Sequence, residues 1–285
     1  MGEEKVFKLS NGVTIPKLAF GTYQLPNNES GYDAIRYAID AGYRHIDTAA
    51  SYRNGHLIAK AIADSGLKRE DFFITSKLWN IDHGYEEALK AFETSCNNIE
   101  TSYLDLYLIH WPIAIGHEKD YQETNKATWK AFEKLYKEKR INAIGTCNFL
   151  THHLIPLMNA AEIKPMVNQI EFNPYYQQRE TVAYCQDANI LVQAWAPLMR
   201  GKAIMQSELK KIAKKYNVPV SKLCLVYCLQ KNILPIARSL AQNQIKENSQ
   251  IFDLVINDSD MQYLDNLNTF TEYTFHPDRN EEWFE

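Results

Sequence analysis

The chain has 285 residues, with 31 Lys and Arg against 35 Asp and Glu, and a formal net charge of −4. Hydrophobic residues make up 45% and charged residues 23%, which excludes a disordered chain and a broad basic surface for nucleic acid. No apolar run reaches the roughly 18 residues of a membrane span. The acidic start MGEEKVFKLS lacks a secretory signal, so we expect a cytoplasmic protein that does not enter the membrane.

The five cysteines are an odd number without a CxxC pair, which indicates reduced intracellular thiols. Cys224 and Cys228 are four residues apart and share one face of an apolar helical pattern. A metal pair is the alternative, but no histidine stands at ligand spacing nearby. The pattern therefore favours buried packing, and we predict no metal site.

The first predicted element is a hairpin, because Asn11-Gly12 separates two short apolar runs in residues 6–16. Eight strand-like runs follow along the chain, and a helix candidate comes after each. The runs are KLAFGTY (17–23), YRHIDTA (43–49), DFFITSKLW (71–79), LDLYLIHW (104–111), INAIGTCN (141–148), MVNQIEF (166–172), ILVQAWA (190–196) and ILPIA (233–237).

Helical stripes lie between these runs, for example the apolar positions in residues 34–39, which end before Gly42, and those in 89–99 and 129–136. The strand runs show little polar alternation, which indicates a parallel sheet covered by helices. Eight β/α units predict one α/β domain, residues 1–285, folded as a (β/α)8 TIM barrel whose bottom the hairpin caps. A doubly wound sheet would need a GxGxxG turn, and no G-x-G occurs.

Three neighbouring predicted strands end in an ionisable residue: Asp47, Lys77 and His110, with Tyr52 in the loop after Asp47. Barrel sites form at the C-terminal strand ends, so we expect these side chains to converge. The ammonium of Lys77, held by Asp47, would lower the pKa of the Tyr52 phenol, and Tyr52 would protonate a carbonyl oxygen. Separately, these residues would suggest an ion pair and a core histidine; together they favour a catalytic site.

These residues also carry a resemblance to a family. IDTAxxY, SKLW and LIHWP resemble motifs of the aldo-keto reductases of prokaryotic and fungal type, in order and spacing, from about residue 5 to residue 268. Further matches are GTCNF (145–149), NQIEFNP (168–174), WAPL (195–198) and IKEN (245–248). The resemblance implies an NAD(P)H-dependent reductase of aldehydes and ketones, with Tyr52 as general acid assisted by Lys77, Asp47 and His110.

The resemblance also implies the ligand contacts. Asn148 and Gln169 would hydrogen-bond the nicotinamide carboxamide, and Trp195 would stack on its ring. The other implied cofactor-binding residues are Gly21, Thr22, Tyr23, Asp47, Cys147, Ala196, Leu198, Arg200, Ala237, Arg238, Ser239, Leu240, Gln244, Glu247 and Asn248. A small carbonyl substrate would meet Tyr23, Tyr52, Trp79, His110 and Trp111, beneath a C-terminal loop that carries Tyr273, Phe275 and Trp283.

Several positions depart from the family pattern. Cys147 and Ala196 replace serines, and Gly55 replaces the Glu of YxNE. In residues 236–248, Arg238 occupies a position where the family has Lys. Gln244 occupies the position of the family Arg that would help to bind the 2′-phosphate of NADPH. Because Gln carries no charge, we expect NADPH as the cofactor, preferred over NADH by a smaller margin than usual.

Two other functions are compatible with the same barrel. A cofactor-binding regulatory subunit of a membrane channel would show negligible turnover and a large exposed apolar patch. A structural, lens-type protein would usually lack part of the quartet, which is complete here. The enzyme interpretation is therefore preferred, and the family resemblance favours a monomer.

Overall fold

The computed structural model of the protein describes residues 5–269 and 276–279. It begins with the predicted hairpin, in which β1 (Val6–Lys8) pairs antiparallel with β2 (Thr14–Pro16). Gly12 in the turn has a φ of +89°, which glycine adopts readily. The side chain of Asn11 donates to the carbonyl of Asn142 at 2.9 Å, at the start of a barrel strand. The hairpin therefore lies at the N-terminal end of the barrel, as predicted.

Eight parallel strands form one closed barrel, in the order β10-β3-β4-β5-β6-β7-β8-β9. The strands are β3 (Ala19–Gly21), β4 (His45–Asp47), β5 (Phe73–Leu78), β6 (Leu104–Ile109), β7 (Ile141–Cys147), β8 (Val167–Glu171), β9 (Leu191–Trp195) and β10 (Leu234–Ala237). Parallel pairing of Ile236 with Ala19 closes the barrel between its last and first strands. All eight predicted strands and the TIM-barrel fold are confirmed.

The strands are buried on both faces, as their unbroken apolar runs predicted. Every residue of β5 and β6 is buried. At Gly145 of β7, an added Cβ would lie 2.4 Å from the carbonyl oxygen of Val167 on β8, so only glycine permits this approach. The barrel interior is therefore packed with side chains, and open space for a ligand has to lie at the barrel ends.

Ten α-helices cover the barrel in the described part of the chain. They are α1 (Glu29–Asp40), α2 (Gly55–Ala63), α3 (Tyr85–Ile99), α4 (Tyr121–Lys137), α5 (Thr151–Ala160), α6 (Arg179–Asp187), α7 (Ser207–Lys215), α8 (Val220–Gln230), α9 (Gln242–Ser249) and α10 (Asp258–Asp265). Short 3₁₀ turns lie at Ala50–Tyr52, Arg69–Asp71 and Met199–Met205. Two helices, α7 and α8, follow β9, and two follow β10, where the sequence predicted one each.

Helix α1 shows how the sequence sets these elements. Asn28 caps its first turn by accepting a hydrogen bond from the backbone of Ser30. Its apolar stripe is buried, and Gly42 follows with a φ of +92° in the predicted left-handed position. Cys224 and Cys228 are fully buried in the core on α8, where packing was predicted. Within residues 5–269 and 276–279, no helix combines the length and apolarity needed to cross a bilayer.

Candidate active site

The three predicted strand-end residues meet at the C-terminal end of the barrel. Asp47 ends β4, Lys77 lies near the end of β5, and His110 follows β6 directly. The Lys77 Nζ donates to Asp47 Oδ1 at 2.6 Å and to the carbonyl of Thr48 at 2.9 Å. Lys77 is fully buried, so this ion pair is shielded from water.

Tyr52 joins this group from the 3₁₀ turn after β4. The Lys77 Nζ lies 5.2 Å from the centroid of the Tyr52 ring, and the His110 ring centroid lies 5.8 Å from it. Asp47, Tyr52, Lys77 and His110, called the quartet below, are thus gathered at one rim of the barrel, as the strand order predicted.

The pKa of Tyr52 differs from the prediction. Burial raises it well above the ordinary value of 10, and the negative charge of Asp47 adds to this, while the positive charge of Arg200 opposes it. Lys77 was expected to lower this pKa, but burial and the Asp47 carboxylate, which is bonded to Lys77, shift it upward. Tyr52 is therefore held as a neutral phenol that keeps its proton.

His110 is held in its neutral form. Burial lowers its pKa well below 6.5, and the positive charge of Lys77 acts in the same direction. Trp79 packs edge-on against the imidazole at 5.2 Å between ring centroids, and Trp111 stacks at 6.4 Å. A neutral imidazole carries one N–H, which makes it a hydrogen-bond donor without positive charge.

Asn54 holds the Tyr52 turn and was not predicted as a site residue. It is fully buried, and its Nδ2 donates to the carbonyl of Thr22 at 2.8 Å. Its Oδ1 accepts from the Thr48 hydroxyl at 3.1 Å. These bonds tie the turn to the segments that follow β3 and β4. The only indication in the sequence was the motif Y-x-N, and a single Asn in such a position does not by itself predict a structural role.

The residues implied to bind the nicotinamide each have hydrogen-bond partners within the protein. Trp195 Nε1 donates to Asn148 Oδ1 at 2.8 Å, and Asn148 Nδ2 donates to the carbonyl of His110 at 3.0 Å. Gln169 Nε2 donates to Asp47 Oδ2 at 2.7 Å, while the Sγ of Cys147 faces Gln169 Oε1 at 3.8 Å. Gln169 is thus a partner of the quartet, which the sequence did not predict.

The implied phosphate and adenine residues lie on the loops after β9 and β10. Arg200 is exposed, with its guanidinium 5.7 Å above the Tyr23 ring, and Ala196 and Leu198 precede it. Arg238 donates to the carbonyl of Gln24 at 2.6 Å, and Ser239 donates to Gln244 Oε1 at 2.8 Å. Among the remaining implied residues, Gly21, Thr22, Ala237 and Asn248 are buried, and Leu240 and Glu247 are exposed.

The predicted substrate contacts surround the quartet in part. Tyr23 is 43% exposed and its ring centroid lies 5.1 Å from that of Tyr52. Trp79 and Trp111 flank His110, as described above. Tyr273, Phe275 and Trp283 lie outside the described residues, so the predicted covering loop stays a prediction.

The described piece of the C-terminal segment, residues 276–279, contacts α5. Asp278 Oδ1 lies 2.9 Å from the Nε2 atoms of both His152 and His153. The backbone of Leu150 donates to His153 Nδ1, which leaves the proton of a neutral His153 on Nε2. His153 Nε2 therefore carries a proton and faces the Asp278 carboxylate at ion-pair distance, and a protonated nitrogen is not a metal ligand.

Comparisons with known proteins identify the family of the chain. The model of the Aldo/keto reductase family matches residues 17–269. The chain is 44% identical to a glyoxal reductase of Bacillus subtilis over 261 residues, covering 92% of each protein. It resembles the crystal structure of an aldo/keto reductase from Brucella melitensis, with a TM-score of 0.86, 40% identity and coverage of 92% of this chain and 99% of that one.

A further solved structure, a Bombyx mori aldo-keto reductase in complex with NADP, matches with a TM-score of 0.86 and 31% identity, covering 95% of this chain and 94% of that one. The family match spans most of the chain and includes every residue of the quartet. Fold, site geometry and sequence similarity therefore lead to one assignment. The chain is an oxidoreductase that belongs to the aldo/keto reductase family.

Proposed function

We propose that this chain reduces aldehydes and ketones to alcohols with NADPH, and that Tyr52 donates the proton to the carbonyl oxygen. The observation that carries the proposal is the convergence of Asp47, Tyr52, Lys77 and His110 at one rim of the barrel. The relatives named above support the reaction class, because one is a glyoxal reductase and another was solved with NADP.

The residues around the rim fit a dinucleotide. Trp195 is half-buried with its indole N–H fixed on Asn148, which holds an aromatic face in place. The exposed guanidinium groups of Arg200 and Arg238 suit phosphates. Asn248 Oδ1 is buried without a partner among the described residues and suits an amino group. When bound, NADPH would supply the hydride that reaches the carbonyl carbon.

The protein's own groups would handle the proton. Tyr52 keeps its proton because its pKa is raised, so it would donate only as negative charge develops on the carbonyl oxygen. The neutral imidazole of His110 would donate a hydrogen bond to the same oxygen. The Lys77 ammonium, oriented by Asp47, would stabilise the tyrosinate left behind until solvent returns the proton.

The test compares the wild type with Tyr52→Phe, following the loss of NADPH absorbance with a panel of aldehydes, glyoxals and ketones. Removal of one hydroxyl should lower kcat by about 10²- to 10⁴-fold, the usual contribution of a general acid. Binding of NADPH, measured by protein fluorescence, should be preserved. An unchanged kcat in Tyr52→Phe would show that the acid is misassigned, and negligible turnover by the wild type would contradict the proposed reaction.

A further inference from the structure

A chain of buried side-chain amides runs beneath the quartet, from β9 across the barrel to β4. Gln169 Nε2 donates to Asp47 Oδ2 at 2.7 Å and to Gln193 Oε1 at 2.9 Å. Gln169 and Gln193 are register partners on β8 and β9, and both are buried. Because β4 and β8 lie on opposite sides of the closed barrel, the bond between Gln169 and Asp47 crosses its interior.

This chain gives each oxygen of the Asp47 carboxylate a side-chain partner. Oδ1 accepts from Lys77 at 2.6 Å, and Oδ2 accepts from Gln169. A buried carboxylate is stable only when it is paired and hydrogen-bonded. The neutral donor Gln169 therefore fixes the plane of the carboxylate and leaves Oδ1 directed at Lys77.

Gln193 in turn holds the Gln169 amide in the orientation that Asp47 requires. An amide turned by half a rotation would present its oxygen to Asp47, acceptor against acceptor. The Gln193 oxygen accepts the second N–H, so both N–H groups of Gln169 have partners only in the observed orientation. The Nε2 of Gln193 is buried without a partner among the described residues, so this side chain contributes only its acceptor oxygen.

We propose that Gln193 is a positioning residue for carbonyl reduction. By holding Gln169 it orients Asp47, and through Asp47 the Lys77 ammonium that stabilises the tyrosinate of Tyr52. Among the described residues, no hydrogen bond joins Gln193 to Tyr52 or to Lys77. The effect of Gln193 therefore passes through Gln169. This inference rests on the proposed function, since it concerns proton donation by Tyr52.

The test measures single-turnover carbonyl reduction by the NADPH-loaded wild type, Gln193→Met, Gln169→Met and the double variant. Methionine keeps the unbranched shape and removes the acceptor oxygen. We expect Gln193→Met to slow reduction about tenfold, the effect of losing one hydrogen bond to the positioning of a charged pair. The solvent deuterium isotope effect should rise, because proton donation becomes slower. The double variant should match Gln169→Met within about twofold, since effects through one pathway are not additive.

Thr75→Val is the matched control. It removes one buried hydrogen bond of the barrel interior, between Thr75 Oγ1 and His45 Nε2 at 2.9 Å, and should leave the solvent isotope effect unchanged. If Gln193→Met does not fold, Gln193→Asn replaces it, because its shorter amide stays polar without reaching Gln169. Wild-type rates in the Gln193 variant, or additive losses in the double variant, would overturn this inference alone. Absence of reduction by the wild type would overturn the proposed function itself.

Discussion

At the scale of single residues, two opposite pKa shifts have the same effect on the site. The pKa of Tyr52 is raised, mainly by burial, and the pKa of His110 is lowered, again mainly by burial. Burial penalises the charged form of each group, so both stay neutral. A neutral phenol and a neutral imidazole are both proton-bearing donors, which suits a carbonyl oxygen that becomes negative.

These shifts predict a flat pH dependence of reduction. Tyr52 keeps its proton below its raised pKa, and His110 stays neutral above its lowered pKa, so neither group changes charge between about pH 6 and pH 9. We expect kcat/KM for an aldehyde to be constant over this range. His110→Gln should lower the plateau without changing its shape. An inflection near pH 6.5 that disappears in His110→Gln would show that His110 titrates in the ordinary range.

At the scale of elements, the turn after β4 decides where the phenol lies. Asn54 links this turn to Thr22 and Thr48, the residues that follow two adjacent strands. The neighbouring Gly55 allows α2 to begin close to α3, because an added Cβ would lie 3.1 Å from Ile99 and 3.2 Å from the carbonyl of Asn98. A side chain at this position would require Ile99 and Asn98 to shift by a few tenths of an ångström.

We expect Asn54→Leu to weaken both stability and catalysis. The substitution leaves the buried carbonyl of Thr22 and the hydroxyl of Thr48 without their partner, so unfolding free energy should fall by about 2–4 kcal/mol. Tyr52 should lose its fixed position, so kcat should fall as well. Urea unfolding and steady-state kinetics measure the two effects.

The control is Asn27→Ala, which removes an exposed hydrogen bond to the carbonyl of Arg53 in the same turn. Its effect on unfolding free energy should stay within about 0.5 kcal/mol. If Asn54→Leu lost stability but kept full kcat, the turn would not position Tyr52.

The elements themselves were largely predictable. Each barrel strand is a local apolar run, and the three strand-end residues Asp47, Lys77 and His110 follow such runs directly. Adjacent strands in a barrel place their ends side by side, so the convergence of these three residues could be predicted from the order of the strands along the chain.

The bonds across the barrel could not be predicted. Gln169 and Asp47 are 122 residues apart on opposite strands, and only the closed geometry brings them within 2.7 Å. Gln193 is the single polar residue in the run ILVQAWA, and this run predicts a buried strand whether or not that position is polar. The pKa of Tyr52 was predicted in the wrong direction because burial of the ring, the largest cause of the shift, depends on the folded barrel and not on the local sequence.

At the scale of the whole molecule, the preference for one cofactor should appear as a difference in the free energy of unfolding between the two complexes. A ligand that binds only the folded chain raises unfolding free energy by about 2.7 kcal/mol at a concentration 100-fold above its Kd. We expect NADP⁺ to stabilise the protein more than NAD⁺ by a small margin, because Gln244, bonded to Ser239 on the loop after β10, carries no charge.

Gln244→Arg should widen this margin by about 1–2 kcal/mol in urea unfolding, since a guanidinium binds phosphate strongly. Gln250→Arg adds the same charge at the far end of α9 and should leave the margin unchanged. Equal gains in both variants would mean that net charge, rather than this position, governs the choice of cofactor.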